Sequence, residues 1–253
     1  MYPLDANSDA TLFSVFTSAL AFATMAQVVV EIRSWRRSRY RGSGGAGSSV
    51  PVPHAVAARS SILLSLAGLL LVGVQTRGAA IGMVAVLAAG QLVRRKHTTQ
   101  YLAICSIVAA IPPHVPRLGV EGHVPWGAYA AGASALAMLY FGGAITKLQS
   151  AQFRSGASLY IISVRLRRRW SLHGNQRRVR GRTWRACALT IVFVELLIPV
   201  GLILPQTSIP TAVTGAAMHA GFLLIDPGRL LPFQSVTVGS YACAIAMTQA
   251  WPA

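Results

Sequence analysis

Long apolar segments separated by clusters of basic residues dominate this sequence. A helix needs about 20 apolar residues to cross a hydrocarbon core about 30 Å thick, and about eight segments approach that length. The predicted spans are Thr11–Val30, Ala55–Val74, Gly78–Val93, Tyr101–Ile111, Trp126–Ala144, Ala186–Leu204, Ile209–Ile225 and Leu231–Met247. The sequence therefore predicts an all-α, polytopic integral membrane protein, with residues 1–253 forming a single membrane domain.

The composition favours a lipid environment over binding to nucleic acid. Hydrophobic residues make up 53% of the chain and charged residues only 11%, whereas about 25% charged is usual for a soluble domain. Lys and Arg number 23 against 6 Asp and Glu, for a net charge of +17. Such a balance is also typical of nucleic-acid-binding proteins, but here the basic clusters lie between possible membrane spans. We therefore expect a lipid bilayer and anionic headgroups as partners, and no nucleic acid.

The distribution of basic residues predicts the orientation of the chain. Cytoplasmic loops of membrane proteins collect Lys and Arg. When the eight spans are numbered in order, 20 of the 23 basic residues fall in the loops after spans 1, 3, 5 and 7. Arg59 lies near the start of span 2, beside the first of these loops, and only Arg77 and Arg117 lie on the other side. The expected protein is a multi-pass protein of the cell membrane with its N-terminus outside and its basic loops in the cytoplasm.

Two of the basic loops differ in character. Residues 42–52 read GSGGAGSSVPV, which predicts a flexible Gly/Ser linker in the first loop. Residues 148–185 interleave apolar residues with arginines, which predicts a basic amphipathic cytoplasmic segment at the membrane interface. Its arginines fit two roles: contact with anionic headgroups, or binding of a substrate diphosphate or carboxylate.

The cysteines Cys105, Cys187 and Cys243 lack CxxC spacing, so no disulfide framework and no metal site is predicted.

Three ionisable residues inside apolar segments are candidates for chemistry. The apolar helix that contains the fifth span carries one lysine, Lys147, in its last turn, and a cation there is costly unless it snorkels, pairs with an acid or faces a cavity. Glu195 and His219 lie within later apolar segments, where a buried polar group needs a partner. We expect Glu195 to contact His219 or an arginine. A lysine that snorkels at the membrane boundary is the simple alternative for Lys147.

The segment from His123 to Gly156 carries the most specific pattern. It contains His123-Val124-Pro125, Trp126, Tyr129, Tyr140-Phe141, Gly143, Lys147-Leu148, Ser150, Phe153 and Gly156. This spacing resembles the membrane core of the vitamin K-dependent γ-glutamyl carboxylases and the wider horizontally transferred transmembrane (HTTM) family. Flanking segments around His97, Glu195 and His219 also resemble that core, so that the likeness covers residues 55 to 250.

The resemblance implies a role for each candidate residue. In that family the lysine that corresponds to Lys147 is the base that deprotonates reduced vitamin K, before a glutamate side chain is carboxylated. Burial disfavours a charged ammonium and so makes a neutral amine available as a base. The implied activity is a lyase that acts on a lipophilic quinone or isoprenoid, with Lys147, Glu195 and His219 as catalytic residues and a reduced quinone as a possible cofactor. The expected substrate-binding residues are His97, His123, Tyr129, Tyr140 and Arg154.

Departures from the carboxylase pattern leave two other functions open. The carboxylases continue into a large soluble domain that grips a protein substrate, and these 253 residues do not include one. A membrane-bound terpene cyclase that acts on a prenyl diphosphate, with Mg²⁺ as cofactor, is the first alternative, although the sequence has no DDxxD or DxDD run. A non-catalytic membrane maturation or immunity partner is the second. Tyr129 and Tyr140 fit a pocket wall and an ordinary interfacial aromatic equally well.

Overall fold

The regular structure of this protein is helical. The computed structural model describes residues 6–42, 54–93, 97–112, 124–169, 181–225 and 227–249, and every regular element within them is an α-helix. The helices are α1 (Ala6–Gly42), α2 (His54–Val72), α3 (Thr76–Val93), α4 (His97–Ala109), α5 (Trp126–Gln149), α6 (Ala151–Arg154), α7 (Ala157–Arg169), α8 (Gly181–Ile203), α9 (Ser208–Ile225) and α10 (Pro227–Gln249). The predicted all-α class is confirmed.

Several of these helices are apolar enough to lie in a membrane. Each predicted span overlaps one helix. Five segments of the described chain have the length and hydropathy to cross a bilayer: Thr11–Trp35, His54–Val72, Trp126–Gln149, Gly181–Ile203 and Leu230–Gln249. Helix α4, with 13 residues, is about 20 Å long at 1.5 Å per residue and is too short to cross alone. The helices are consistent with a multi-pass membrane protein, and the count of about eight spans stays a prediction.

The chain divides into two compact units. The first unit comprises residues 1–135 and 228–253, and the second comprises residues 136–227. Helix α5 belongs to the first unit up to Ala135 and to the second from Leu136 onward. Both units are helical, and the prediction of one membrane domain over the whole chain stays a prediction.

Close helix contacts build the core of the first unit. A Cβ atom added to Gly132 would lie 2.7 Å from the Cβ atom of Cys243, so this glycine lets α5 and α10 approach each other. The Tyr101 hydroxyl lies 3.0 Å from the Ser240 hydroxyl and joins α4 to α10. Because both hydroxyls are buried, this hydrogen bond satisfies polar groups that would otherwise be costly in an apolar core.

The second unit contains the end of α5, the short helix α6, and α7 to α9. Helices α8 and α9 approach closely at Gly201, where an added Cβ atom would lie 3.0 Å from the Thr211 methyl group. In the predicted segment 148–185, helices α6 and α7 account for residues 151–154 and 157–169, and α8 begins at Gly181, before the predicted Ala186. Residues 170–180 lie outside the described residues, as does the predicted linker 42–52 beyond Gly42.

Candidate functional site

One face of α5 carries two polar residues into the second unit. Tyr140 and Lys147 are seven residues apart, which is close to two helical turns, so both side chains leave the same face of the helix. Their partners come from the two later helices of the unit, Glu195 from α8 and His219 from α9. The sequence thus places two polar contacts one above the other along α5.

The first contact is an ion pair between Lys147 Nζ and Glu195 Oε1. Glu195 is only 4% exposed, whereas the side chain of Lys147 is 28% exposed. The other carboxylate oxygen, Glu195 Oε2, is buried and has no hydrogen-bond partner among the described residues. An ion pair requires the protonated amine, whereas a base must be a neutral amine. If Lys147 is to act as a base, its proton must first move to a neighbouring group. The carboxylate of Glu195 contacts the amine and can accept that proton.

The second contact joins Tyr140 to His219. The Tyr140 hydroxyl lies 2.7 Å from His219 Nε2, and both residues are buried. The two rings are 5.7 Å apart, and the Phe222 ring contacts the imidazole edge-on at 6.0 Å. Which of the two atoms donates the proton depends on the tautomer of the imidazole. The hydrogen bond and the two ring contacts together hold the imidazole in one orientation.

A proline shapes the turn of α8 that carries the buried acid. Pro199 lies inside α8, four residues after Glu195. Because proline has no N–H, it cannot donate the helical hydrogen bond to the backbone carbonyl of Glu195. The same turn of α8 therefore carries both the buried carboxylate and a carbonyl oxygen that lacks its helical donor.

The turn after α5 places an aromatic ring beside the lysine. Ser150 caps α6 by accepting a hydrogen bond from the Phe153 amide, with a distance of 3.3 Å between Phe153 N and Ser150 Oγ. Lys147 Nζ lies 5.8 Å from the centre of the Phe153 ring, a distance typical of a cation–π contact. Ser150 fixes the start of α6, and the Phe153 ring contacts Lys147, so the turn after α5 supports the position of the lysine.

The predicted residue Arg154 lies in a basic pocket at the end of α6. The pocket measures about 500 Å³ and is lined by Ala151, Arg154, Ser155, Gly181, Arg182 and Arg185. All three arginines are exposed. The lining residue nearest to Lys147 in the sequence is Ala151, four residues later. All of the lining residues belong to the second unit.

The remaining predicted site residues are placed differently. His97 is exposed at the start of α4 in the first unit. Tyr129 is buried in the first unit, where its ring packs edge-on against Phe13 with the ring centres 5.8 Å apart. His123 lies outside the described residues. Of the eight predicted site residues, the second unit holds Lys147, Glu195, His219, Tyr140 and Arg154.

The expected partner of Glu195 requires a correction. The sequence predicted a contact between Glu195 and His219 or an arginine, but the structure pairs Glu195 with Lys147 and His219 with Tyr140. The physical reason is the register of the helices along α5. Glu195 lies at the level of Lys147, and His219 lies two turns away, at the level of Tyr140.

A second ion pair, in the first unit, was not predicted from the sequence. Arg59 Nη1 donates to Glu31 Oε2 at 3.0 Å, and Gln27 donates to Glu31 Oε1 at 3.0 Å. Gly90 on α3 leaves space for the Arg59 guanidinium, because a Cβ atom there would overlap it. The sequence signal is the opposite charge of Glu31 and Arg59 near the two ends of the first basic loop, but charge alone does not indicate that they pair.

Comparison with protein-family models, with curated proteins and with solved structures finds no match to this chain. Within the part of the chain that the structure describes, no group of three or more His, Cys, Asp or Glu side chains is placed to hold a metal ion. The fold and the site therefore define an all-α protein, consistent with a multi-pass membrane protein, in which a lysine pairs with a buried glutamate.

Proposed function

We propose that this protein is an integral-membrane lyase-type enzyme in which Lys147 acts as a base on a lipophilic quinone or isoprenoid substrate. The observation that carries the proposal is the contact of Lys147 with the buried carboxylate of Glu195. Ionisable residues within membrane helices are rare and usually functional. The resemblance of the segment around Lys147 to the carboxylase core supports the same role.

Each polar group of the site has a part in this proposal. Lys147 passes a proton to Glu195, and the resulting neutral amine takes a proton from a substrate hydroxyl. Glu195 Oε2, buried and without a partner among the described residues, fits a hydrogen bond from a hydroxyl such as that of a reduced quinone. The hydrogen-bonded pair of Tyr140 and His219 supplies a fixed polar wall on the same face of α5.

The membrane setting is part of the same proposal. We place the protein in the cell membrane, with its N-terminus outside and its basic loops in the cytoplasm against anionic headgroups. The apolar helices support the membrane location. The one-sided distribution of basic residues along the sequence supports the orientation.

Turnover of a reduced naphthoquinone by the reconstituted full-length chain tests the proposal. Oxygen consumption and epoxide formation are followed by electrode and mass spectrometry. Lys147→Met keeps the length of the side chain and removes the amine, so we expect turnover to fall by about a hundredfold or more. Arg165→Met, which removes an exposed cation from α7, is the matched control and should retain activity. Full turnover by a folded Lys147→Met protein would contradict the base role.

The basic pocket favours a terpene cyclase as the second candidate. Its three arginines are suited to bind the diphosphate of a prenyl diphosphate. Cyclisation predicts release of diphosphate and of a volatile hydrocarbon, with dependence on Mg²⁺ and independence from oxygen. Assaying prenyl diphosphates beside reduced quinones in the same preparation separates the two activities.

A further inference from the structure

Three arginines from two separate helices converge on one pocket of the second unit. Arg154 is the last residue of α6, and Arg182 and Arg185 are the second and fifth residues of α8. A spacing of three residues places Arg182 and Arg185 on the same side of α8. Together with Ser155 they line the pocket of about 500 Å³, which is large enough for a phosphate or diphosphate group.

A glycine holds the two sides of this pocket together. Gly156 has a φ of +79°, a conformation that other residues adopt only with strain. A Cβ atom at Gly156 would lie 2.6 Å from the backbone oxygen of Trp184, so the turn after α6 packs directly on the first turn of α8. The Tyr160 ring of α7 contacts the Trp184 ring of α8 edge-on, with the ring centres 6.1 Å apart. This is a second contact of the same region with α8. The backbone positions of the arginines are therefore set by packing.

The charge of the pocket is not balanced within the described part of the chain. The carboxylates whose side chains are described are Glu31 and Glu195, and they pair with Arg59 and Lys147. Three guanidinium groups line one pocket, and such groups attract an anion that enters it. Among the described residues no carboxylate lines this pocket, so its lining is suited to an anion from another molecule.

The lining of the pocket suits an anion with several oxygens and more than one negative charge, such as a phosphate group. Guanidinium groups bind phosphate oxygens with two parallel hydrogen bonds, and the pocket has three of them. The first residue of α8, Gly181, also lines the pocket, and the first amides of a helix favour a bound anion.

We propose that Arg154, Arg182 and Arg185 form a binding site for a terminal phosphate or diphosphate group. The group belongs either to a soluble molecule or to a lipid headgroup, and both present the same oxygens to the arginines. This site does not depend on Lys147 acting as a base, because it rests on different residues and requires binding alone.

Two binding measurements on the full-length chain, purified in an uncharged detergent, test this site and distinguish the sources. Pyrophosphate binding is measured by calorimetry, and binding of phosphatidic acid or phosphatidylcholine is counted by native mass spectrometry. The double variant Arg182→Gln with Arg185→Gln should weaken binding of pyrophosphate, phosphatidic acid or both by about tenfold or more. The matched control, Arg165→Gln with Arg167→Gln, removes the same charge from exposed positions of α7 and should change binding less than about twofold.

Chemical protection of the unmodified protein tests the same site without a substitution. Phenylglyoxal modifies exposed arginines, and we expect pyrophosphate or phosphatidic acid to protect Arg154, Arg182 and Arg185 while Arg165 and Arg167 still react. Protection by pyrophosphate identifies a site open to soluble ligands, and protection by phosphatidic acid alone identifies a headgroup site. Equal weakening by both double variants, or no protection by either ligand, would overturn the proposal, because binding would then reflect diffuse charge or be absent.

Discussion

Removing the amine of Lys147 should destabilise the protein more than neutralising its partner. Lys147→Met leaves the carboxylate of Glu195, which is 4% exposed, without a counterion. Breaking a buried ion pair in this way costs about 3–5 kcal/mol. Because the side chain of Lys147 is 28% exposed, solvent screens part of the interaction, and we expect about 2–3 kcal/mol.

The reverse substitution should cost less. Glu195→Gln keeps the shape of the side chain and removes its charge, and the lysine left behind can extend toward solvent. We expect about 1 kcal/mol for this change. In the variant with both substitutions no charge is left buried, so its cost should fall below the sum of the single costs by about 1–2 kcal/mol.

Unfolding in mixed micelles measures this cycle. The four proteins are titrated with sodium dodecyl sulfate at one pH, and the loss of helical circular dichroism gives the free energy of unfolding of each. Single costs that add to within about 0.5 kcal/mol would show that the two side chains do not interact. A larger cost for Glu195→Gln than for Lys147→Met would refute the reasoning on burial.

Three further substitutions test other parts of the structure. Tyr140→Phe should lower the free energy of unfolding by about 1–3 kcal/mol, because His219 loses a buried hydrogen bond; an unchanged value would contradict the contact. Gly156→Ala should cost about 2–4 kcal/mol, from positive φ and from overlap with the first turn of α8, and a protein of normal stability would show that the turn does not pack there. In a Cys187→Ser background, Arg165→Cys should react with an impermeant maleimide only after cells are permeabilised; labelling of intact cells would reverse the proposed orientation.

The positions of the helices could be predicted from the sequence, but not all of their ends. Apolar length alone located a helix at each predicted span, because the backbone hydrogen bonds of an apolar segment must be satisfied within it. Helix α1 nevertheless continues to Gly42 although its apolar run ends at Val30. Hydropathy locates the apolar part of a helix but not its ends, because a helix can continue through polar residues after the apolar run has stopped.

The residues of the candidate site could be predicted better than their pairing. The sequence singled out Lys147, Glu195 and His219 because an ionisable group in an apolar segment stands out. It assigned the wrong partner to Glu195, since the register of α8 and α9 along α5 depends on packing between helices that are distant in the sequence. In the sequence, Arg182 and Arg185 are simply members of a basic segment, because their convergence with Arg154 depends on the turn at Gly156.

The continuity of α1 has a mechanical consequence for the start of the chain. Its 37 residues form a rod about 55 Å long, nearly twice the hydrocarbon thickness of about 30 Å. If this helix crosses the bilayer, it must extend beyond the hydrocarbon core at one end. The arginines that begin at Arg33 lie on that helical extension. Each residue inserted into α1 before Arg33 would shift these arginines by about 1.5 Å along the helix axis and rotate them by about 100° about it. Their distance from the membrane and the direction they face therefore depend on the number of helical residues that precede them.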